Sequence, residues 1–307
     1  LNLYFLMSYG QTFRCNTSEK LLTNITAEIV VMAQQSTVVK TQKLFKRTVS
    51  ATMLLVIAGL AIWRGGVVLN CFLFLLSSLL IWEWFCLVSV LAKIVRLLFS
   101  TLLSLGVVLA GSMIAIELQV ALIGAILLAG QSVALWKHGR FGFVVGTGPA
   151  LIVATMLAAI YLRKLPELGL ETIFWLVLVV SAMDIGGYFF GKSIGGPRLA
   201  PNISPNKTYS GLLGGMLAGG VASTGIGHLV GSGGTLSFFA LGAGLAFVSQ
   251  AGDLLESSWK RYFNVKDSSS LLPGHGGFLD RFDGYLTALP IVALMTFILG
   301  RSPFLWP

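Results

Sequence analysis

The chain has 307 residues, of which 55% are hydrophobic and 11% charged, with a formal net charge of +9 and a mean hydropathy of +0.85. Soluble globular domains carry about a quarter charged residues, so the composition excludes one and reads as a membrane protein with several spans. The basic excess sits in short stretches between apolar runs, which fits membrane topology rather than nucleic acid, and Cys15, Cys71 and Cys86 have neither disulfide nor metal-ligand spacing.

In chain order, residues 1–40 are polar, mixed and without a run of crossing length. They read as an N-terminal lead-in, poorly ordered or interfacial, before a membrane-embedded domain over 41–307. No charged start followed by an apolar core and a small-residue cleavage site is present, so no signal peptide is expected. Nine apolar segments of spanning length follow, near 48–63, 67–92, 97–116, 118–136, 141–162, 172–191, 211–230, 235–257 and 283–300. The fold class expected is therefore an all-α polytopic membrane protein.

With the N-terminus inside, 17 of the 21 basic residues lie on the inner side of this map; Arg64, Arg163, Lys164 and Arg301 lie outside. That asymmetry obeys the positive-inside rule. It puts the two charged loops, 192–210 and 258–282, on the cytoplasmic side, where nucleotides are found.

The first chemistry-bearing stretch begins at Asp184, an acid inside an apolar span and hence a functional candidate. Gly186 to Ser193 satisfies the P-loop spacing literally, but on the tail of a spanning helix it lacks the strand that a P-loop needs. Ser204-Pro205-Asn206-Lys207-Thr208 then leads into the seventh span. A lysine, hydroxyls and a helix start together suit a phosphate. Glu83, in the second span, either joins a polar cavity or reaches the interface.

The second stretch is denser: four of the five aspartates fall between Asp253 and Asp283. If the eighth span continues as a helix, Asp253, Ser257 and Lys260 or Arg261 share one face. Asp280 and Asp283 are one turn apart. Carboxylates gathered with too few local cations favour a hard divalent ion, Mg2+ rather than zinc; the alternative is that Asp280 and Asp283 only charge a helix start. Pro273-Gly274-His275-Gly276-Gly277 is a loop whose glycines admit close backbone approach and whose histidine suits phosphate or a proton.

Ser257-x-Trp259-Lys260-Arg261, then Lys266-Asp267, then Pro273-x-His275-Gly276-Gly277-Phe278-x-Asp280-Arg281-Phe282-Asp283, resembles the signature of phosphatidate cytidylyltransferases, also called CDP-diglyceride synthetases. Asp184 and Ser204-Pro205-x-Lys207-Thr208-x-x-Gly211 resemble that family's other cytoplasmic motif. Trp259 stands where the family usually has an aliphatic residue or Phe, and Asn206 where it often has lysine.

The resemblance implies an integral enzyme of a bacterial inner membrane that joins CTP to phosphatidic acid with Mg2+, giving CDP-diacylglycerol and pyrophosphate. It further implies nine spanning helices, a polar cavity open to cytoplasm and lipid bilayer, a two-metal centre and a homodimer. On this reading Asp253, Asp280 and Asp283 hold metal, and Lys260, Arg261, Lys266, Arg281 and Lys207 hold phosphates. Ser204 and Thr208 donate hydrogen bonds. Asp184, Ser257, Asp267, His275, Gly276 and Gly277 orient these groups or the substrate.

The rival readings are a CTP-dependent polyprenol or phytol kinase and a membrane transporter. A transporter would carry charge near the bilayer midplane and repeat symmetry, whereas the charge here gathers at the inner face.

Overall fold

The structure, a computed structural model, describes residues 52–88, 93–113, 144–231, 234–269, 271 and 276–306. Contacts divide the chain into Leu1–Leu54 and Leu55–Pro307. Of the first unit only 52–54 are described, in a helix, and all other described residues belong to the second. The expectation for residues 1–40 lies outside the described residues.

The helices are α1 (Thr52–Arg64), α2 (Gly66–Val88), α3 (Lys93–Met113), α4 (Val144–Arg163) and α5 (Gly169–Ile194), then α6 (Tyr209–Leu229), α7 (Thr235–Tyr262) and α8 (Leu279–Leu299). Seven of them, α2 to α8, are long and apolar enough to cross a bilayer; α1 is shorter. The segment expected over 118–136 lies outside the described residues, and that over 48–63 appears only as α1, from Thr52 on.

The fold is not purely helical. Between α5 and α6, β1 (Arg198–Ala200) and β2 (Ser204–Thr208) form an antiparallel hairpin, Arg198 opposite Thr208 and Ala200 opposite Ser204. Gly195 and Gly196, at φ 66° and 103°, end α5 in conformations that other residues resist, and Pro197 and Pro201 prevent its resumption. The P-loop spacing indeed lies inside a helix, since α5 runs through Ile194.

Where lipid replaces water, helices associate through close packing of small residues rather than through the hydrophobic effect. α5 and α6 meet on glycine: a Cβ at Gly186 would lie 2.6 Å from Ala218 Cβ, and one at Gly211 would lie 2.8 Å from the Gly187 carbonyl oxygen. α7 and α8 approach as closely, for a Cβ at Gly252 would lie 2.7 Å from the Asp283 carbonyl oxygen. This contact puts Asp253 and Asp283, each beside the crossing point, on facing helices.

Two apolar cores fill the bundle. One gathers Leu80, Ile81 and Trp84 of α2, Ile152 and Ile160 of α4, Trp259 of α7, and Leu279 and Leu286 of α8. The other joins Trp175, Leu176 and Val179 of α5 to Leu245 and Ala246 of α7, Val292 of α8 and Phe304. α8 contributes to both.

The bundle has two chemically distinct ends. At one, Arg163 donates to the carbonyls of Ile62 and Trp63 (2.8 and 3.2 Å), and Lys164 donates to those of Gly111 and Ser112 (2.9 Å each). Two cations at the end of α4 thus satisfy the last carbonyls of α1 and α3, where positive charge opposes the helix dipole favourably. Arg163→Ala is expected to cost about 1 kcal/mol, read as a lower melting midpoint in detergent with catalytic turnover per folded molecule unchanged. At the other end lie the hairpin, the end of α7 and the start of α8. Residues that the charge map assigns to one side therefore gather at one end.

Candidate active site

At this second end Lys207, on β2, forms an ion pair with Asp253 on α7. Asp253 also accepts from Ser257 Oγ one turn later, at 3.4 Å. Asp283, on α8, takes a hydrogen bond at Oδ1 from the Gly284 N–H (2.7 Å), and the charges of Asp253, Glu256 and Asp184 act on it. Asp184, exposed on α5, feels Asp253, Lys207 and Arg281. Residues from α5, α7, α8 and the hairpin thus meet with more acid than base. Among the described residues, Asp184 and Asp283 form no ion pair.

Asp280 has a different environment. Its Oδ1 takes Lys260 Nζ at 2.7 Å; its Oδ2 takes the Ser268 N–H (3.0 Å), Ser268 Oγ (3.1 Å) and the Gly277 N–H (2.8 Å). With three donors of its own and the Ser268 hydroxyl shared with Glu83, Asp280 keeps little lone-pair capacity for an ion. Lys260 is equally engaged, its Nζ lying 2.6 Å from Glu256 and 2.7 Å from Asp280. Glu256, fully buried, was not among the residues singled out from sequence; its i,i+4 spacing to Lys260 was the available signal.

Arg261 donates to the carbonyls of Ile203 and Val265, at 3.1 Å each, and so ties the hairpin turn to the end of α7. Thr208 caps α6, accepting from the Gly211 N–H at 3.1 Å, and exchanges a hydrogen bond with Ser210 Oγ at 2.9 Å. Ser204 lies in the hairpin pairing. Lys266, Asp267 and Arg281 are exposed. His275 lies outside the described residues.

The two loop glycines face the protein's own carboxylates. Gly276 has φ 82°, and a Cβ there would lie 2.6 Å from Asp280 Oδ2; a Cβ at Gly277 would lie 2.7 and 2.8 Å from the oxygens of Glu83 and would overlap Ser268 Oγ. Glu83, completely buried, accepts from Ser268 Oγ (3.3 Å), Ser269 Oγ (2.5 Å) and the N–H groups of Phe278 (2.9 Å) and Leu279 (2.8 Å). Full burial sets aside the interface expectation for Glu83; it caps α8 instead.

The donors that converge are oxygens and suit a hard cation such as Mg2+. Among the described residues no group of three or more acidic, histidine or cysteine side chains forms a ready cage.

Helices long and apolar enough to cross a bilayer, with acids, lysine and arginine gathered at one end, define an integral membrane protein with a charged site at that end. The chain belongs to the cytidylyltransferase family, whose model matches residues 45–299. It is 36% identical over 252 residues to a phosphatidate cytidylyltransferase of Brucella suis biovar 1 (strain 1330), covering 81% of this chain and 91% of the relative. It is 32% identical over 254 residues to that of Staphylococcus saprophyticus (81% and 97% covered) and 37% over 191 residues to that of Bacillus subtilis strain 168 (57% and 66% covered).

Proposed function

We propose that the chain transfers the cytidylyl group of CTP to phosphatidic acid, forming CDP-diacylglycerol and releasing pyrophosphate. The observation that carries this reading is the ion pair of Lys207, on the hairpin, with Asp253, on a helix that packs closely against the one bearing Asp283. Membership of the family and the names of the relatives support it.

In this reaction an oxygen of the lipid phosphate attacks the α-phosphorus of CTP, and the bond from that phosphorus to the bridging oxygen of pyrophosphate breaks. A phosphate monoester is already largely anionic near neutral pH, so no strong general base is required. The site must align the reactants and offset charge on the attacking and leaving oxygens. Bound Mg2+ supplies charge neutralisation at phosphate oxygens, and Asp253, Asp283 and Asp184 are the residues that would hold one or two such ions.

Asp280 holds Lys260 and the loop before α8 rather than an ion, because its oxygens already take Lys260, two main-chain N–H groups and a share of the Ser268 hydroxyl. Lys207 is poised to trade Asp253 for a phosphate, and Arg281 and Lys266 extend the cationic rim; arginine supplies forked contacts and lysine point charges. Ser257 orients Asp253. Arg261, Ser204 and Thr208 shape the hairpin, Asp267, Gly276 and Gly277 belong to the segment before α8, and His275 is assigned to the substrate phosphates by the family resemblance.

The basic asymmetry of the sequence supports a cytoplasmic orientation of this end, and the family resemblance supports a bacterial inner membrane. A polar cavity open to cytoplasm and bilayer, nine spans and a homodimer are carried by the family resemblance. The acceptor tests the reading: purified protein with Mg2+ should consume CTP when given phosphatidic acid but not diacylglycerol or a polyprenol. Consumption with a hydroxyl acceptor alone would overturn it in favour of a kinase.

A further inference from the structure

We infer that Glu83 is a positioning residue for the transfer: from α2 it fixes the start of α8 and thereby the place of Asp283 opposite Asp253. The inference rests on the proposed role of those acids as cation holders. Among the described residues, all four partners of the Glu83 carboxylate are N–H or O–H donors: the Ser269 hydroxyl, the Ser268 hydroxyl that it shares with Asp280, and the main-chain N–H groups of Phe278 and Leu279 at the start of α8.

Such groups are normally satisfied by a nearby side chain, but Phe278 at the N-cap of α8 offers no side-chain hydrogen bond. The cap is supplied from another helix, 196 residues away in sequence. A carboxyl group with no solvent exposure is costly unless its oxygens are hydrogen-bonded, and here donors at a helix start meet that need.

The fit is tight on both sides. Gly277 lies against the carboxylate where any Cβ would displace it. The next residue, Trp84, donates to the Val145 carbonyl at 2.9 Å and packs edge-on against Trp259 at 4.8 Å. Adjacent residues of α2 therefore hold the end of α7 and the start of α8. Asp283 lies one turn beyond Leu279, so a shift in the cap moves it directly. Glu83 touches neither Asp253 nor Asp283, which distinguishes positioning from catalysis.

The test compares the full-length wild type with Glu83→Gln in detergent, measuring turnover per folded molecule, the CTP KM, and Mn2+ binding by electron paramagnetic resonance. Glutamine keeps the size but turns one acceptor into a donor facing an N–H. The expected result is turnover lower by about 10- to 100-fold, Mn2+ affinity weakened, and the CTP KM changed far less. Unchanged turnover and Mn2+ affinity in folded Glu83→Gln, even with a lower melting midpoint, would overturn the inference.

If Glu83→Gln fails to fold, Ser269→Ala removes one of the four bonds and should shift Mn2+ affinity in the same direction by a few-fold; no shift would overturn it equally. A wild type that binds no Mn2+ would sink the cation reading itself, whereas a wild type that binds Mn2+ like its Glu83 variant sinks only this inference.

Discussion

Asp283→Asn is expected to lower CTP-dependent turnover by about 10²–10³-fold while the protein stays folded in the membrane, its melting midpoint unchanged or higher. The direction of the stability change is the informative part. Asp283 accepts one hydrogen bond, from the adjacent Gly284 N–H, and the nearby acids Asp253, Glu256 and Asp184 disfavour negative charge on it. Asparagine keeps the shape and the acceptor and relieves like-charge repulsion. An acid that served the fold would behave oppositely, since deleting one member of a satisfied buried pair is strongly destabilising. Loss of activity with retained stability is the mark of a residue kept for function. Assays on washed membranes and thermal unfolding in detergent read the two quantities; near-normal turnover would contradict the assignment.

Lys207→Ala is expected to reduce kcat/KM for CTP by roughly 10²-fold, with Lys207→Arg retaining part of the rate because a forked guanidinium replaces a point charge imperfectly. Lys207 pairs with Asp253, while the hairpin keeps a second tether through Arg261 to the Ile203 carbonyl at 3.1 Å. The hairpin should therefore stay in place. Losing the lysine also removes a competitor for Asp253, so the Mg2+ concentration for half-activation should stay the same or fall while the CTP KM rises. Steady-state kinetics with each varied in turn separates the two. If rates and apparent affinities are both untouched, the hairpin is not part of the site.

Much of this was legible in the sequence because the signals were local. Long apolar runs identify α2 to α8, and the basic residues between them sort into ends that share contacts in the fold. Asp253 and Ser257 could be placed on one face because helical spacing fixes it, and they do share a hydrogen bond. The partners of Lys260, Arg261 and Asp280 were not legible in the same way. Spacing sets the direction in which Lys260 leaves α7, but its pairing with Asp280 depends on how α7 and α8 pack.

The same limit hid Glu83. An acid in an apolar span announces a task without revealing that its partners lie at the start of the last helix. The hairpin between α5 and α6 was missed because its strands are short and carry Pro205. Glycine is legible only in part for a related reason: it marks close approach, and around Gly276 and Gly277 the near groups include carboxylates of the chain itself.

The central claim is attack on the α-phosphorus of CTP by a lipid phosphate at the acid-rich end of the bundle. It is tested most directly by following labelled phosphorus through the purified protein with Mg2+ and phosphatidic acid. Label placed at the α-phosphate should appear in the lipid phase as a liponucleotide, and label at the γ-phosphate should appear in pyrophosphate. Label from the γ-position in lipid, or no lipid-borne α-label at all, would contradict it.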